Sequence, residues 1–172
     1  MTFSIHVLDA GRIESALSGL IALLQNVVDD GASVGFLPPL DFEIAKKYWG
    51  EVHRAVGQGA RVLLVAYDDA KLVGTVQLDL CQRGNGLHRA EVMKLLVHTS
   101  ARRQGIGEML MRAIEVESRN AHRTTLVLDT RAGDPSEKLY AKLGYVKAGE
   151  IPQYAQSADG ALDPSAFYFK LL

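Results

Sequence analysis

The sequence predicts a mixed α/β domain over residues 1–172, with a mostly antiparallel sheet, one parallel pair of strands and helices on both faces. Its 172 residues suit one domain, and 48% of them are apolar, enough for a full core. Apolar residues alternate in some stretches and recur every three to four residues in others. Short turns join the early strands, whereas a strand–helix–strand crossover in the middle of the chain favours a parallel pair.

The first half of the chain predicts a strand, two helices and three strands. Apolar residues from Ile13 to Val28 follow helical spacing, and Asp41 is a typical N-cap for the second helix. The sequence between these helices, which includes residues 31–36, is rich in glycine and small residues, as in loops. Strands are predicted over 3–8, 61–67, 72–80 and 90–98, with a hairpin tip at Asn85-Gly86.

The second half predicts a helix from Ile106 to about His122 and a β-branched strand over 124–130. Residues 134–136 open a short helix, and Gly144 closes it. Two last strands follow, over about 145–151 and 166–171. The predicted order is therefore β-α-α-β-β-β-α-β-α-β-β.

Composition excludes several classes of function. Nineteen basic and twenty acidic residues give a net charge of −1, so the charge indicates no nucleic acid or membrane partner. One cysteine excludes an intrachain disulfide, and the five histidines lack metal-ligand spacing, so no metal is expected. The start has no signal-peptide pattern and no apolar run spans a bilayer, which predicts a cytoplasmic protein.

The most informative segment is the turn from the strand ending at Val97 into the helix at Ile106. Gly105 and Gly107 lie where this helix starts and would let an anion reach unpaired N–H groups, which the helix dipole favours. Arg102 and Arg103 add charge-assisted donors, so a diphosphate would fit. A dinucleotide fingerprint would need glycine at Leu110, and a P-loop motif is absent. The alternative is that both glycines only permit a tight turn.

This Arg-x-x-Gly-x-Gly turn resembles the acetyl-CoA loop of the GCN5-related N-acetyltransferase (GNAT) superfamily. The stretch from Leu139 to Tyr145 is similar to its second motif, in which a tyrosine faces the CoA sulfur; Thr99 departs from a common proline. The resemblance implies a central parallel pair splayed by a bulge, and acetyl-CoA as co-substrate. The predicted contacts of acetyl-CoA are Leu95, Leu96, Val97, Arg102, Arg103, Gln104, Gly105, Ile106, Gly107, Glu108, Asp134 and Ser136. The alternative for Asp134 and Ser136 is that they only cap the short helix.

Several separate segments narrow the resemblance to the tabtoxin-resistance acetyltransferases within this superfamily. They are residues 31–36, 80–82, 85–87 and 89–92, the triplet Leu128-Asp129-Thr130, and residues 168–170. This resemblance implies acetylation of the amine of a small β-lactam amino-acid toxin, and a role in toxin or antibiotic resistance. It also assigns the acid/base role to Glu91 and Asp129.

The chemistry requires a neutral amine and a protonated leaving thiolate. An amine with a pKa of about 10.4 is neutral in roughly one molecule in a thousand near pH 7, so a carboxylate base helps. Glu91 is the first candidate and Asp129 the second, although either could instead anchor the substrate ammonium or be a solvated strand-end charge. Tyr140 is the candidate acid, with a core tyrosine as the alternative.

The two early helices would wall the acceptor pocket, which makes Ser33 and Phe36 acceptor candidates together with Glu91 and Asp129. Tyr48 and Trp49 fit the apolar face of their helix better. The sequence leaves open other acceptors (a polyamine, an aminoglycoside or a protein amine) and a non-catalytic CoA-binding sensor. It also leaves open the oligomeric state, a homodimer included.

Overall fold

The computed structural model describes residues 3–172 and contains seven strands and four helices in that range. The second helix begins at the side-chain cap that the sequence predicts: Asp41 accepts hydrogen bonds from the N–H groups of Glu43 and Ile44. The elements are β1 (Phe3–Leu8), α1 (Ala10–Asp29), α2 (Phe42–Gly57), β2 (Arg61–Asp68), β3 (Lys71–Leu80), β4 (Arg89–Val97), α3 (Ile106–Asn120), β5 (Thr125–Arg131), α4 (Ser136–Lys142), β6 (Val146–Gln156) and β7 (Leu162–Leu171).

The strands form one mixed sheet in the order β1-β2-β3-β4-β5-β7-β6. All neighbouring pairs are antiparallel except β4 and β5, which the crossover through α3 makes parallel. The predicted fold class and element order are confirmed.

Alternation along β2 shows why both faces of the sheet carry helices. Leu64 and Ala66 point into one buried cluster with α3 and α4, whereas Leu63 and Val65 point into a second cluster with α1 and α2. The sheet is therefore buried on both sides at its centre, and a residue's position in a central strand decides which helix pair it meets.

Two boundaries differ from the sequence-based predictions. The connection between β3 and β4 is a longer loop with a 3-10 turn at Gly84–Gly86, because pairing of these strands ends before Asn85. The last two strands are longer than predicted and run as one hairpin. Pro152 lies inside β6, where the β6–β7 register shifts between Ile151 and Ala155, which accommodates it.

No helix among residues 3–172 is long and apolar enough to cross a membrane.

Candidate active site

The central parallel pair separates after three residues. Pairing between β4 and β5 covers only Arg89 with Thr125, Ala90 with Leu126 and Glu91 with Val127, while both strands continue beyond. In the described part of the chain, β4 therefore has no strand partner on this side from residue 92 onward. A cleft of about 1010 Å³ opens between the separated strands.

A bulge in β4 accompanies this separation. Met93 lies opposite Gln77 and Leu96 opposite Thr75, so β4 holds one more residue than β3 between these pairs. The extra residue is Lys94, which has a left-handed φ of +52°. Such a bulge bends and twists its strand, here away from β5. The edge of β4 that carries residues 95–97 is thereby left without a β5 partner.

The turn into α3 exposes a row of backbone donors. Arg103 and Gly105 both have left-handed backbones, with φ of +63° and +84°. Among residues 3–172, the N–H groups of positions 103–108 donate to no acceptor, and the first helical donor is Met109, 3.0 Å from the Gly105 carbonyl. Consecutive unpaired N–H groups at the start of a 15-residue helix form an anion-binding concavity.

Several side chains around this turn already have partners within the protein. Arg102 already pairs with Asp30, at 2.6 Å between Nη1 and Oδ2, and so ties the turn to the end of α1. Gln104 lies outside the cleft lining and donates to Ser100 at 3.5 Å. The Glu108 carboxylate binds Arg112 and Lys142 at 2.9 and 2.6 Å, which leaves its N–H as the group available to a ligand.

Thr99 replaces the proline of many relatives with a different constraint. Its N–H, which proline lacks, donates to Oδ1 of Asn26 at 2.9 Å, and Nδ2 of Asn26 donates to its hydroxyl at 3.1 Å. Helix α1 therefore holds the turn in place from outside.

The two candidate carboxylates lie together on the α1/α2 face of the sheet. Glu91 pairs in register with Val127, and Asp129 follows two residues later on the same face. Burial raises the pKa of the Glu91 carboxyl above its ordinary value, and the charges of Asp129 and Asp79 raise it further. Ser165 donates a hydrogen bond to Asp129 at 3.0 Å. Glu91 is thus a stronger base than an exposed glutamate.

Tyr140 reaches the cleft from the opposite face of the sheet. Only 6% of it is exposed, and its ring packs against Tyr145 and Tyr168 at centroid distances of 5.9 and 5.8 Å. Burial raises the pKa of its phenol, and Asp129 raises it further, so the hydroxyl is protonated at neutral pH. Tyr145 is buried in the same stack and is not part of the cleft lining.

The loop over 31–36 closes the acceptor side of the cleft. Ser33 lines the cleft, whereas the Phe36 ring packs edge-on against Tyr48 at 5.4 Å and does not line it. Trp49 is fully buried, as its position on the apolar face of α2 predicts. Arg131 donates to the Gly31 carbonyl at 3.3 Å and so holds this loop against the end of β5.

Asp134 and Ser136 both line the cleft, but neither caps α4. The N-cap is Pro135, without a side-chain hydrogen bond. Asp134 accepts from Nε of Arg131 at 3.2 Å, and the Ser136 hydroxyl lies 2.8 Å from that of Thr130. The capping alternative is therefore wrong, since both side chains bond back to the end of β5.

A sequence profile described as an acetyltransferase (GNAT) domain matches residues 59–147, more than half of the chain. This chain belongs to the GNAT acetyltransferase family. GNAT acetyltransferases use acetyl-CoA as co-substrate. The matched range contains the splayed strands, the turn into α3 and Tyr140. The open β4 edge and the unpaired N–H groups fit the amide arm and the diphosphate of this molecule.

Solved structures share the GNAT fold over nearly the whole chain. An N-acetyltransferase from Staphylococcus aureus Mu50 is 18% identical with a TM-score of 0.83, and 99% of each chain is covered. A protein from Salmonella typhimurium, assigned as an acetyltransferase and solved with acetyl-CoA, is 16% identical, with a TM-score of 0.81 over 100% of this chain and 95% of its own. One assigned as a phosphinothricin N-acetyltransferase is 18% identical, with a TM-score of 0.78 and 99% of both chains covered.

Sequence analysis did not name Lys94, the charged residue of β4 that lines the cleft beside Glu91. Its signal was a lysine in the middle of the otherwise largely apolar strand from Val92 to Val97, where a charge needs a reason. Among residues 3–172 the structure brings together no group of three His, Cys, Asp or Glu side chains that could hold a metal ion.

Proposed function

We propose that this GNAT protein transfers the acetyl group of acetyl-CoA to a primary amine of a small amino-acid-like molecule, such as a β-lactam amino-acid toxin. One observation carries the proposal. Residues 103 and 105–108, whose N–H groups are unpaired within residues 3–172, line the same cleft as Glu91, Asp129 and Tyr140. A diphosphate site, two candidate bases and a candidate acid therefore share one cavity.

In this proposal the backbone binds the co-substrate. The N–H groups of residues 103–108 hold the diphosphate, and Arg103 adds charge; Arg102 contributes if it leaves Asp30. Residues 95–97 hold the pantetheine amides as an added strand would. Leu96 is buried and fixes this edge from behind. An N–H of the same strand stabilises the developing oxyanion.

Glu91 removes the proton that blocks attack by the amine, directly or through a water. Its raised pKa brings it nearer to that of the amine, which makes proton transfer less unfavourable. Asp129 holds the ammonium before transfer and is the second candidate base, positioned by Ser165. As the amine nitrogen bonds to the acetyl carbon, the carbon–sulfur bond breaks.

Tyr140 protonates the departing thiolate. It reaches the cleft from the α3/α4 side, opposite the carboxylates, so acid and base lie on the two sides of the transferred acetyl group. The proton taken by Glu91 returns to solvent, and the attacking nitrogen loses its second proton to solvent once it is bonded to the acetyl carbon. Tyr140 regains its own proton from solvent. Transfer is direct, within one ternary complex.

The acceptor class rests on two supports. Within the chain, residues 31–36 and the triplet around Asp129 resemble the tabtoxin-resistance acetyltransferases. Among structural relatives, one is assigned as a phosphinothricin N-acetyltransferase. We propose that residues 1–172 act as one GNAT domain, in the cytoplasm where acetyl-CoA is available, and that the role is toxin or antibiotic resistance. A homodimer is compatible with this role.

An amine panel tests the proposal. Free thiol released from acetyl-CoA is followed with a β-lactam amino acid, phosphinothricin, the common amino acids, a polyamine, an aminoglycoside and a lysine peptide. The proposal predicts turnover with an amino-acid-like amine and little with the polyamine. Tight CoA binding without thiol release from any amine would instead identify a CoA-binding sensor, and preference for the peptide would identify a protein acetyltransferase.

A further inference from the structure

Lys94 is placed in the cleft by the bulge that separates β4 from β5. It is the extra residue of β4, and its φ of +52° is one that side chains other than glycine and asparagine rarely adopt. On either side of the bulge β4 is packed in the core through Val92 and Leu96, and the Thr75 hydroxyl donates a hydrogen bond to the Lys94 carbonyl at 3.2 Å. A strained backbone that persists in a packed strand is a common feature of functional sites.

The bulge directs the lysine to the acceptor side of the sheet. Its Nζ lies 5.7 Å from the centroid of the Tyr48 ring on α2. It also lies 3.7 Å from the position that a Cβ would take on Gly35, in the loop that closes the acceptor side. Lys94 therefore shares the α1/α2 face with Glu91 and Asp129.

No carboxylate of residues 3–172 lies within 4.0 Å of this ammonium. The neighbouring cation, Arg61, does have polar partners, because it donates to Asp79 at 2.9 Å and to Gln77 at 3.2 Å. Burial lowers the pKa of Lys94, and the charge of Arg61 lowers it further. Contact with an aromatic ring offsets only part of the desolvation of a buried ammonium. The charges of Asp129 and Glu91 oppose this lowering of the pKa from beyond ion-pair distance, so among residues 3–172 the ammonium has no direct anionic partner.

We propose that Lys94 binds a carboxylate of the acceptor while Glu91 and Asp129 hold its amine. This inference rests on the proposed acetyl transfer and names the residue that selects the substrate class. The pocket then recognises a zwitterion. The two carboxylates of the protein lie toward the end where β4 and β5 still pair and hold the acceptor's amine, and the Lys94 ammonium at the bulge holds its carboxylate. A polyamine would place a second cation against Lys94, which excludes it as a good acceptor.

The test compares acids with their carboxamides, which differ only in the anionic charge. Amino acids that release thiol from acetyl-CoA are assayed beside the matching carboxamides with the wild type, Lys94→Met and Lys94→Arg. The wild type should favour the acid by about 10- to 100-fold in kcat/KM, the range for a hydrogen bond to a charged group. Lys94→Met should lose that preference and Lys94→Arg should keep part of it, with the KM for acetyl-CoA unchanged in both.

Lys47→Met is the matched control, because Lys47 is an exposed lysine on α2 and should leave the preference intact. Thermal melting of each variant shows that it is folded. A wild type that accepts carboxamides equally well, or a Lys94→Met variant that keeps the preference, would overturn the inference.

A binding measurement separates this inference from the proposed function. Should no amine be acetylated, N-acetylglycine and N-acetylglycinamide, the smallest products with and without the charge, are titrated by NMR into protein saturated with CoA. Selective binding of the carboxylate that Lys94→Met removes would support the lysine's role although the proposed function had failed. Equal binding of both compounds would overturn it.

Discussion

The two sides of the cleft present different kinds of chemical group. On the co-substrate side, one continuous segment from β4 to the start of α3 supplies mostly backbone groups, which are unpaired N–H donors at 103–108 and the open edge of β4. On the acceptor side, Glu91 and Lys94 of β4, Asp129 of β5 and Ser33 of the loop between α1 and α2 act through their side chains. A backbone site tolerates change of many side chains, whereas a side-chain site changes its ligand with single substitutions.

The largest expected effect lies on the acceptor side. Glu91→Gln should lower kcat by about 10²- to 10⁴-fold, the usual contribution of a general base, and Asp129→Asn should lower it by less. Thiol release at saturating acetyl-CoA measures both. The affinity for CoA, measured by calorimetry, should stay within about twofold of the wild type. If both variants turned over at the wild-type rate, neither carboxylate would be the base.

The pH dependence of the reaction sharpens the assignment to Glu91. A base must be deprotonated, and burial raises the pKa of Glu91, so kcat should fall as pH decreases through that raised pKa. This fall should begin at a higher pH than for an exposed glutamate. The pH profile of kcat for Glu91→Gln should lack this inflection, with only the amine's own titration left. An inflection that persists unchanged would assign it to another group.

An intermediate effect is expected for Tyr140, which lies at the boundary of the two sides. Tyr140→Phe removes only the hydroxyl and should lower kcat by about 10- to 100-fold, because the thiolate must then take its proton from water. Tyr145→Phe is the control, since Tyr145 packs in the same aromatic stack without lining the cleft. Equal rates for the two variants would show that Tyr140 only packs.

A smaller effect on function is expected at the turn into α3, where a substitution should weaken CoA binding. Gly105→Ala places a Cβ on a residue with φ of +84°, and Gly59→Ala does the same at φ of +68° in the turn before β2, with no atom within 4 Å of either Cβ. Both should lower the free energy of unfolding by about 1 kcal/mol. Only Gly105→Ala should weaken CoA binding, by about tenfold. Equal CoA affinities of the two variants would show that the turn does not bind CoA.

The contrast between the two sides also explains what could be predicted from sequence. The co-substrate side lies in one local pattern of strand, turn, glycines and helix, so residues 95–97 and 102–108 could be named before the structure. The acceptor side could be predicted only where a resemblance or a strand-end position marked a residue, as for Glu91 and Asp129.

Lys94 was not predicted as a site residue because the direction of its side chain depends on a bulge. In a regular strand, residue 94 would point to the α3/α4 face, as Val92 does, and the register shift against β3 is a property of two strands together. Phe36 was chosen from a loop whose packing against Tyr48 depends on α2. Side-chain direction at such places is fixed by tertiary contacts that no local pattern records.

A crystal structure with CoA tests the central claim most directly. We expect diphosphate oxygens to accept hydrogen bonds from the N–H groups of residues 103–108, with the pantetheine arm along β4 at residues 95–97. The sulfur should lie between Tyr140 and the two carboxylates. A complex in which CoA binds elsewhere, with these N–H groups bonded only to water or to the protein itself, would contradict the account.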